Sequence, residues 1–261
     1  MMTPDAREAG SAPTKAAADE ADLQAGIDHL AGLVADSMDL AQLLTEVAAS
    51  GAQAVPGADG VGLTLVGADR SGGSAIESAA TGALIDQLVR LQFADLHEGP
   101  CVTAVANAVT VRSGSLGGEK RWPRFGPRAG RLGVNSVLAL PLGVAGTVIG
   151  VMGVYSHRRN GFDDHAAELA QLFAKPAAVA VHNAHILAQA QTMTAQLQVA
   201  LTTRPIIDQA IGLLRGRTGR SAEDSFAQLR AISQAEHRKV AEVAQQIVEE
   251  AVRRARSRRK A

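Results

Sequence analysis

Charged side chains are the first possible source of chemistry in this chain. Its 261 residues hold 26 Lys and Arg against 26 Asp and Glu, so it is formally neutral. The signs are segregated, however. From Ala195 to Ala261 there are thirteen basic and seven acidic residues, 13 − 7 = +6, which leaves −6 for the remainder. A basic C-terminal quarter favours a polyanionic partner, and the plain alternative is a solvated helix surface with a basic tail. His157, His165, His182 and His185 invite a metal reading, but no Cys or acidic partner stands at a known ligand spacing. His182 and His185, three apart on one helix, fit solvent or dimer contacts better. No Cys-x-x-Cys-His motif exists to hold haem. Gly143, Gly146, Gly150 and Gly153 lie in a strand–turn–strand pattern. No phosphate loop, kinase motif, Ser–His–Asp set or paired carboxylates accompany them. Neither a catalytic residue nor a metal ligand is assigned, and an enzyme is not expected.

The elements that position the basic quarter are helical. Pro205 suits a first helical turn, and Ile206, Ile207, Ala210, Ile211 and Leu214 repeat at helical spacing. This helix should stop near Arg215, where Gly216 and Gly219 bracket a basic turn. Ser221 with Asp224 reads as the N-cap of the next helix, which offers Phe226, Leu229 and Ile232. Val240, Val243, Ala244, Ile247, Val248 and Ala251 give a third helix its stripe. Three short helices with one apolar stripe each must bury them against one another or a partner.

The upstream part reads differently. Residues 1–22 are rich in Ala, Asp and Glu with no apolar stripe, and are expected to be disordered. Helical patterns follow from about Leu23 and again after Asp39, which can cap through Gln42. Gly60 to Val66 and Ser74 to Ala80 read as strands around a turn at Asp69 to Gly73. Leu84 to Phe93 is helical, the stretch from Glu98 through Cys101 is a loop, and Val109 to Arg112 is a short strand. Arg112 to Lys120, rich in Ser and Gly, is expected to be mobile, and Trp122 begins another helix. Ser136 to Leu142 and Thr147 to Tyr155 are strongly β, and Phe162 to about Ala190 is a long helix. Hairpins with flanking helices, rather than regular βαβ units, argue an α+β domain around an antiparallel sheet. A connecting helix over 178–201 carries Ile186, Met193, Leu197 and Leu201 as a pairing stripe and is expected to join the same helix of a second chain. No apolar run approaches the roughly 18 residues of a membrane span. With one cysteine and no hydrophobic signal segment, the expected location is cytoplasmic.

Two resemblances now enter. Arg204-Pro-Ile-Ile-Asp-Gln-Ala-Ile-Gly-Leu-Leu, Ser221-Ala-Glu-Asp-Ser-Phe-Ala-Gln-Leu-Arg and Arg238-Lys-Val-Ala-Glu-Val-Ala resemble, in order and spacing, the three helices of an ANTAR domain. The resemblance implies a bacterial antiterminator that binds paired stem-loops of a nascent leader transcript. Carried over by position, the RNA-binding candidates are Arg204, Gln209, Arg230, Ser233, Arg238 and Lys239. Ile211 stands where the family often carries Lys and is read as packing. Arg215 is the candidate to restore that charge. Upstream, Gly99-Pro-Cys, Val109-Thr-Val-Arg, Arg121-Trp-Pro-Arg-Phe, Ser136-Val-Leu-Ala-Leu-Pro-Leu and Ile149-Gly-Val-Met-Gly-Val-Tyr resemble a GAF domain. That implies a sensor, with an unidentified small-molecule effector between the sheet and its covering helices. Cys101, Arg112, Trp122 and Phe125 are the candidate lining, against a competing reading of core packing for Cys101, Trp122 and Phe125 and of a surface role for Arg112.

The expected organisation is therefore a disordered 1–22, a GAF-like sensor with its N-terminal helix over 23–185, a connecting helix over 178–201, a three-helix RNA-binding domain over 202–256 and a basic tail over 257–261. The expected function is transcription antitermination by a homodimer. The alternative is a non-enzymatic signalling adaptor for a protein or small ligand. A DNA binder is disfavoured, because the second and third helices lack a base-reading face of Asn, Gln and Arg.

Overall fold

Five strands with alternating apolar residues form one antiparallel sheet in this computed structural model, which describes residues 14–33, 38–67 and 75–260. They are β1 (Gly60–Val66), β2 (Ala75–Ala80), β3 (Val111–Ser113), β4 (Ser136–Val144) and β5 (Thr147–Ser156), in the order β2-β1-β5-β4-β3. Val144 pairs with Thr147. The two residues between them, Ala145 and Gly146, take φ of 51° and 79°, the left-handed pair that a tight hairpin requires. The expected turn at Asp69 to Gly73 lies outside the described residues.

Both faces of the sheet are covered, so strand positions of both parities are buried. On one face Leu63, Leu65, Leu138, Leu140, Met152 and Val154 meet α1 (Lys15–Gly32), α2 (Leu40–Ala54) and the start of α6 (Asp164–Thr218). Phe173 of α6 and Leu44 of α2 are fully buried there. On the other face Val137, Ala139, Val151 and Tyr155 meet α3 (Ala83–Arg90), α4 (Pro100–Asn107) and α5 (Phe125–Arg131). Each large apolar side chain so buried stabilises by about 1.5–3 kcal/mol.

Several expectations are corrected. The disordered stretch does not reach residue 22: α1 begins at Lys15 behind the N-cap Thr14. Its Ala-rich first turns have high helix propensity and need no stripe, because the first buried side chain is Leu23. Residues 1–13 lie outside the described set. The loop at Cys101 is helical, since Pro100 occupies the first turn of α4, where its missing N–H costs nothing. The stretch 112–120 is not a free loop. Leu116 is fully buried, and residues 116–118 form one 3₁₀ turn against α5.

The chain divides into two compact units, residues 1–188 and 189–261. The second is built from the end of α6, α7 (Ala222–Glu236) and α8 (Val240–Lys260). Ala210, Leu214, Leu229, Val243 and Ala244 form its core, with Ile206, Ile207, Ile211, Ile232, Ile247 and Val248 packed around them. Sequence spacing suggested a fresh helix at Pro205 and a stop near Arg215. Instead α6 is one continuous 55-residue helix. Proline fits helical φ and forfeits only one main-chain bond, and Gly216 is tolerated, so the helix ends only at Gly219, whose φ is 70°. The tail expected at 257–261 continues α8 to Lys260.

Candidate nucleic-acid interface

The turn between α7 and α8 gathers three of the candidate residues. α7 starts where the Ser221 hydroxyl accepts the Asp224 N–H at 3.0 Å, and it ends with His237 in the left-handed region, φ 52°. The Arg238 N–H then donates to the Ser233 carbonyl at 3.0 Å, closing the last turn five residues back. The Ser233 hydroxyl donates in the other direction, to the Arg238 carbonyl. Ser233 is thus half-buried and committed to the turn. Its bonds fix the main chain at Arg238, directly before Lys239.

Arg238 is held from two sides. Its guanidinium donates to Gln246 at 2.6 Å and to Glu236 at 3.0 Å, and Glu242 lies 3.8 Å away. Lys239, one residue on, is exposed and forms no ion pair among the described residues. A groove beside Arg238 is lined by Ile206, Ala241, Gln245 and Glu249, so the α6 and α8 segments of this unit share one surface.

Arg204, Gln209 and Arg215 all lie exposed on α6, and Arg230 lies exposed on α7, three residues before Ser233. Arg215 is about 16 Å along the helix from Arg204. It belongs instead with Arg217 and Arg220, which are also exposed and flank the α6–α7 turn. The motif comparison did not single out those two arginines. Their signal in the sequence was the basic turn itself. Ile211 is partly buried against the core, as its packing role requires.

In the first unit, the sheet face that was to carry a ligand is filled with side chains. Cys101, Trp122 and Phe125 are 2%, 3% and 0% exposed. The Trp122 indole N–H donates to Thr103 at 2.9 Å. The Cys101 Sγ lies 3.4 Å from the Tyr155 hydroxyl, which accepts from the Gln92 amide at 2.9 Å. Gln92 in turn accepts the Cys101 N–H at 2.9 Å. Sequence reasoning missed Gln92 and Tyr155, since a polar side chain on an apolar helix gives no sign of its partner. Burial, outweighing the hydrogen bonds with Tyr155 and Gln92, pushes the Cys101 thiol up to about 11, and burial together with Cys101 beside it raises Tyr155 well above its ordinary value.

Arg112 is exposed and pairs with Asp164 at 2.8 Å. An open polar cleft of about 500 Å³ lies elsewhere, lined by Lys15, Asp19, Arg158, Arg159, Asp163 and His165. Among the described residues no group of three or more His, Cys, Asp or Glu is placed to hold a metal, and no helix is long and apolar enough to cross a membrane.

Comparison with known proteins agrees with this division. Residues 37–182 match the model of the GAF domain and residues 195–248 that of the ANTAR domain. Among solved structures, the free methionine-R-sulfoxide reductase of Neisseria meningitidis in complex with its substrate is similar at 23% identity and a TM-score of 0.51, covering 68% of this chain and 96% of that one. The GAF domain from a phosphoenolpyruvate-protein phosphotransferase of Coxiella burnetii is similar at 16% identity and a TM-score of 0.51, covering 66% of this chain and 98% of that one. At such identities the likeness is one of fold. No curated protein matches the chain. The GAF match alone spans more than half of the chain, and the order of the two domains is that of a regulator: the chain belongs to the GAF domain family, with an ANTAR domain behind the GAF domain.

Proposed function

We propose that the protein regulates transcription by antitermination, its ANTAR domain gripping paired stem-loops of a nascent transcript so that a terminator hairpin cannot form. The observation that carries this reading is the exposed cationic set on a separately packed three-helix unit in the basic quarter of the chain, Arg204, Arg215, Arg230 and Lys239. Unstacked loop bases and closely spaced phosphates are what such side chains bind. Gln209 would add a hydrogen-bonding amide. Arg238 would exchange its glutamate partners for phosphate, and Ser233 would hold the turn.

The working form in this proposal is a homodimer joined along α6. Leu172, Val179, Ile186 and Met193 recur every seven residues and are 44%, 50%, 50% and 63% exposed. In a heptad reading, Asn183, Ala190 and Leu197 take the alternate seam positions. A lone Asn there favours a fixed-register two-stranded pair. Two ANTAR units so joined would hold two stem-loops at once, which raises affinity through effective concentration. The GAF unit would set the state of the helix pair, with or without a small effector. Because nascent transcripts are its target, the protein would act in the cytoplasm.

An enzymatic role is disfavoured by the one thiol in the chain. Reduction by cysteine needs an accessible thiolate, and disulfide turnover needs a second sulfur. Cys101 is buried, raised to about 11, and single. The test of the main reading is filter binding of the full chain to an RNA carrying two adjacent stem-loops. The double variant Arg238→Ala with Lys239→Ala is expected to bind at least about tenfold more weakly, the range of one or two lost charge-assisted contacts. Unchanged affinity would sink the proposal.

A further inference from the structure

The last helix outruns the core it packs. The side chains that α8 gives to the core end at Val248, where the ANTAR match also ends, yet the helix continues to Lys260. Six of its last eight residues are cationic: Arg253, Arg254, Arg256, Arg258, Arg259 and Lys260. Arg and Ala are good helix formers, and cations are favoured at a helix C-terminus, so this stretch can remain helical.

Among the described residues its charge is largely unanswered. Arg254 pairs with Glu250. Arg253, Arg256 and Arg258 are exposed and form no ion pair among the described residues. Like charges stand four apart at Arg254 and Arg258, repelling by a few tenths of a kcal/mol. A polyanion would relieve that repulsion. At 100° per residue Arg253, Arg254, Arg256 and Arg258 spread over more than half of the helix circumference, and beyond Val252 the helical residues hold no apolar side chain larger than Ala255. A helix that lies in a lipid surface needs an apolar face, and this one has none. Cations spread so widely fit instead a phosphate chain that can approach the helix from more than one side, as an RNA backbone does whether folded or single-stranded.

We propose that residues 253–260 form an arginine-rich clamp on the RNA backbone, outside the ANTAR domain and indifferent to base sequence. This rests on the RNA-binding reading above. The ANTAR surface selects the stem-loops and the clamp supplies salt-sensitive affinity for any RNA.

The test compares the full chain with the variant Arg253→Gln, Arg256→Gln, Arg258→Gln and Arg259→Gln. Glutamine keeps the helix propensity of arginine, and Arg253, Arg256 and Arg258 are exposed. The probes are an RNA with two adjacent stem-loops, polyuridylate, and phosphatidylserine vesicles, each over a range of salt. The variant is expected to lose about tenfold or more in affinity for both RNAs near physiological salt. Its log–log salt slope should fall by about 3, roughly 0.7 for each of four contacts. Three results would overturn the clamp while leaving RNA binding intact: an unchanged slope, a loss confined to the stem-loop RNA, or a loss seen only with vesicles. A wild-type chain that binds neither RNA would overturn both readings.

Discussion

Ser233 and Arg238 hold each other reciprocally. The Ser233 hydroxyl donates to the Arg238 carbonyl, and the Arg238 N–H donates to the Ser233 carbonyl at 3.0 Å. Two bonds across one turn fix where α8 starts and hence where Lys239 points. Ser233→Ala removes one bond and leaves the carbonyl partly unsatisfied. The cost should be about 1 kcal/mol. Hydrogen exchange of the α7 and α8 amides checks it: protection should fall about fivefold in both helices together. Protection lost in α7 alone would show that the turn is held by other means.

Glycine at position 126 is required by close approach. A Cβ there would overlap the Leu116 carbonyl oxygen, which the 3₁₀ turn brings against α5. Main chain cannot move aside as a flexible side chain can, so Gly126→Ala should destabilise the GAF unit by about 1–3 kcal/mol, the range for overpacking a core. Thermal unfolding followed by circular dichroism measures it, and a neutral result would mean that the turn is loosely held.

The same segment shows what the sequence made legible and what it did not. Strand alternation and the Ser136 to Tyr155 hairpin are local signals, and the sheet followed from them. The Ser- and Gly-rich run at 112–120 looked mobile because its anchors lie outside it or are polar: Leu116 is buried with the turn packed on α5, and Glu119 accepts from Ser113 at 3.0 Å and from Arg121 at 2.6 Å. Composition reports neither. In the second unit the basic charge and the three stripes were readable, and most of the core they form is the one expected, but Phe226, counted on the apolar side of α7, is 39% exposed. The commitment of Ser233 to its turn, and of Arg238 to Glu236 and Gln246, was not readable, since a polar residue looks the same whether it faces a ligand or its own chain. Pro205 misled for a related reason: it suits a helix start, yet a helix supported on either side can run through it.

Glu119 makes the stability of the GAF unit depend on acid. The hydrogen bond from Arg121, aided by Ser113, lowers its carboxyl from an ordinary 4.5 to about 2. A carboxyl whose folded value lies below its unfolded value stabilises fully above the unfolded value, and that contribution disappears as pH falls from about 4.5 to about 2. Glu119→Gln should therefore cost about 1 kcal/mol at neutral pH, the low end for a charge-assisted bond because the Arg121 side chain is half exposed. The difference between wild type and variant should shrink steadily below pH 4.5. A difference independent of pH would place the effect in packing rather than charge.

Cys101 should resist chemistry. With its thiol raised to about 11 and its sulfur enclosed beside Tyr155, almost no thiolate exists at pH 8 and none is accessible. Labelling by a disulfide reagent should follow the rate of local opening and become fast only in denaturant. Methionine sulfoxide offered with a thiol reductant should not be consumed. Rapid native labelling, or sulfoxide turnover by pure protein, would return the GAF unit to the enzymes.

The proposed pairing of α6 can be tested without disturbing either unit. Ile186 and Met193 are 50% and 63% exposed, so neither is needed to fill a core. Ile186→Glu with Met193→Glu places like charges opposite each other in a two-stranded pair, while a lone chain would keep its helix, since glutamate is a good helix former. Sedimentation should report a dimer for the wild type and a monomer for the variant, with unchanged thermal unfolding of the sheet domain. Affinity for a single stem-loop should be nearly the same in both. Affinity for two linked stem-loops should fall by about 10²-fold or more, because the second contact would no longer be intramolecular. That split between the two RNAs separates a dimer that presents paired modules from one that merely stabilises the helix: in the latter case both affinities would fall together.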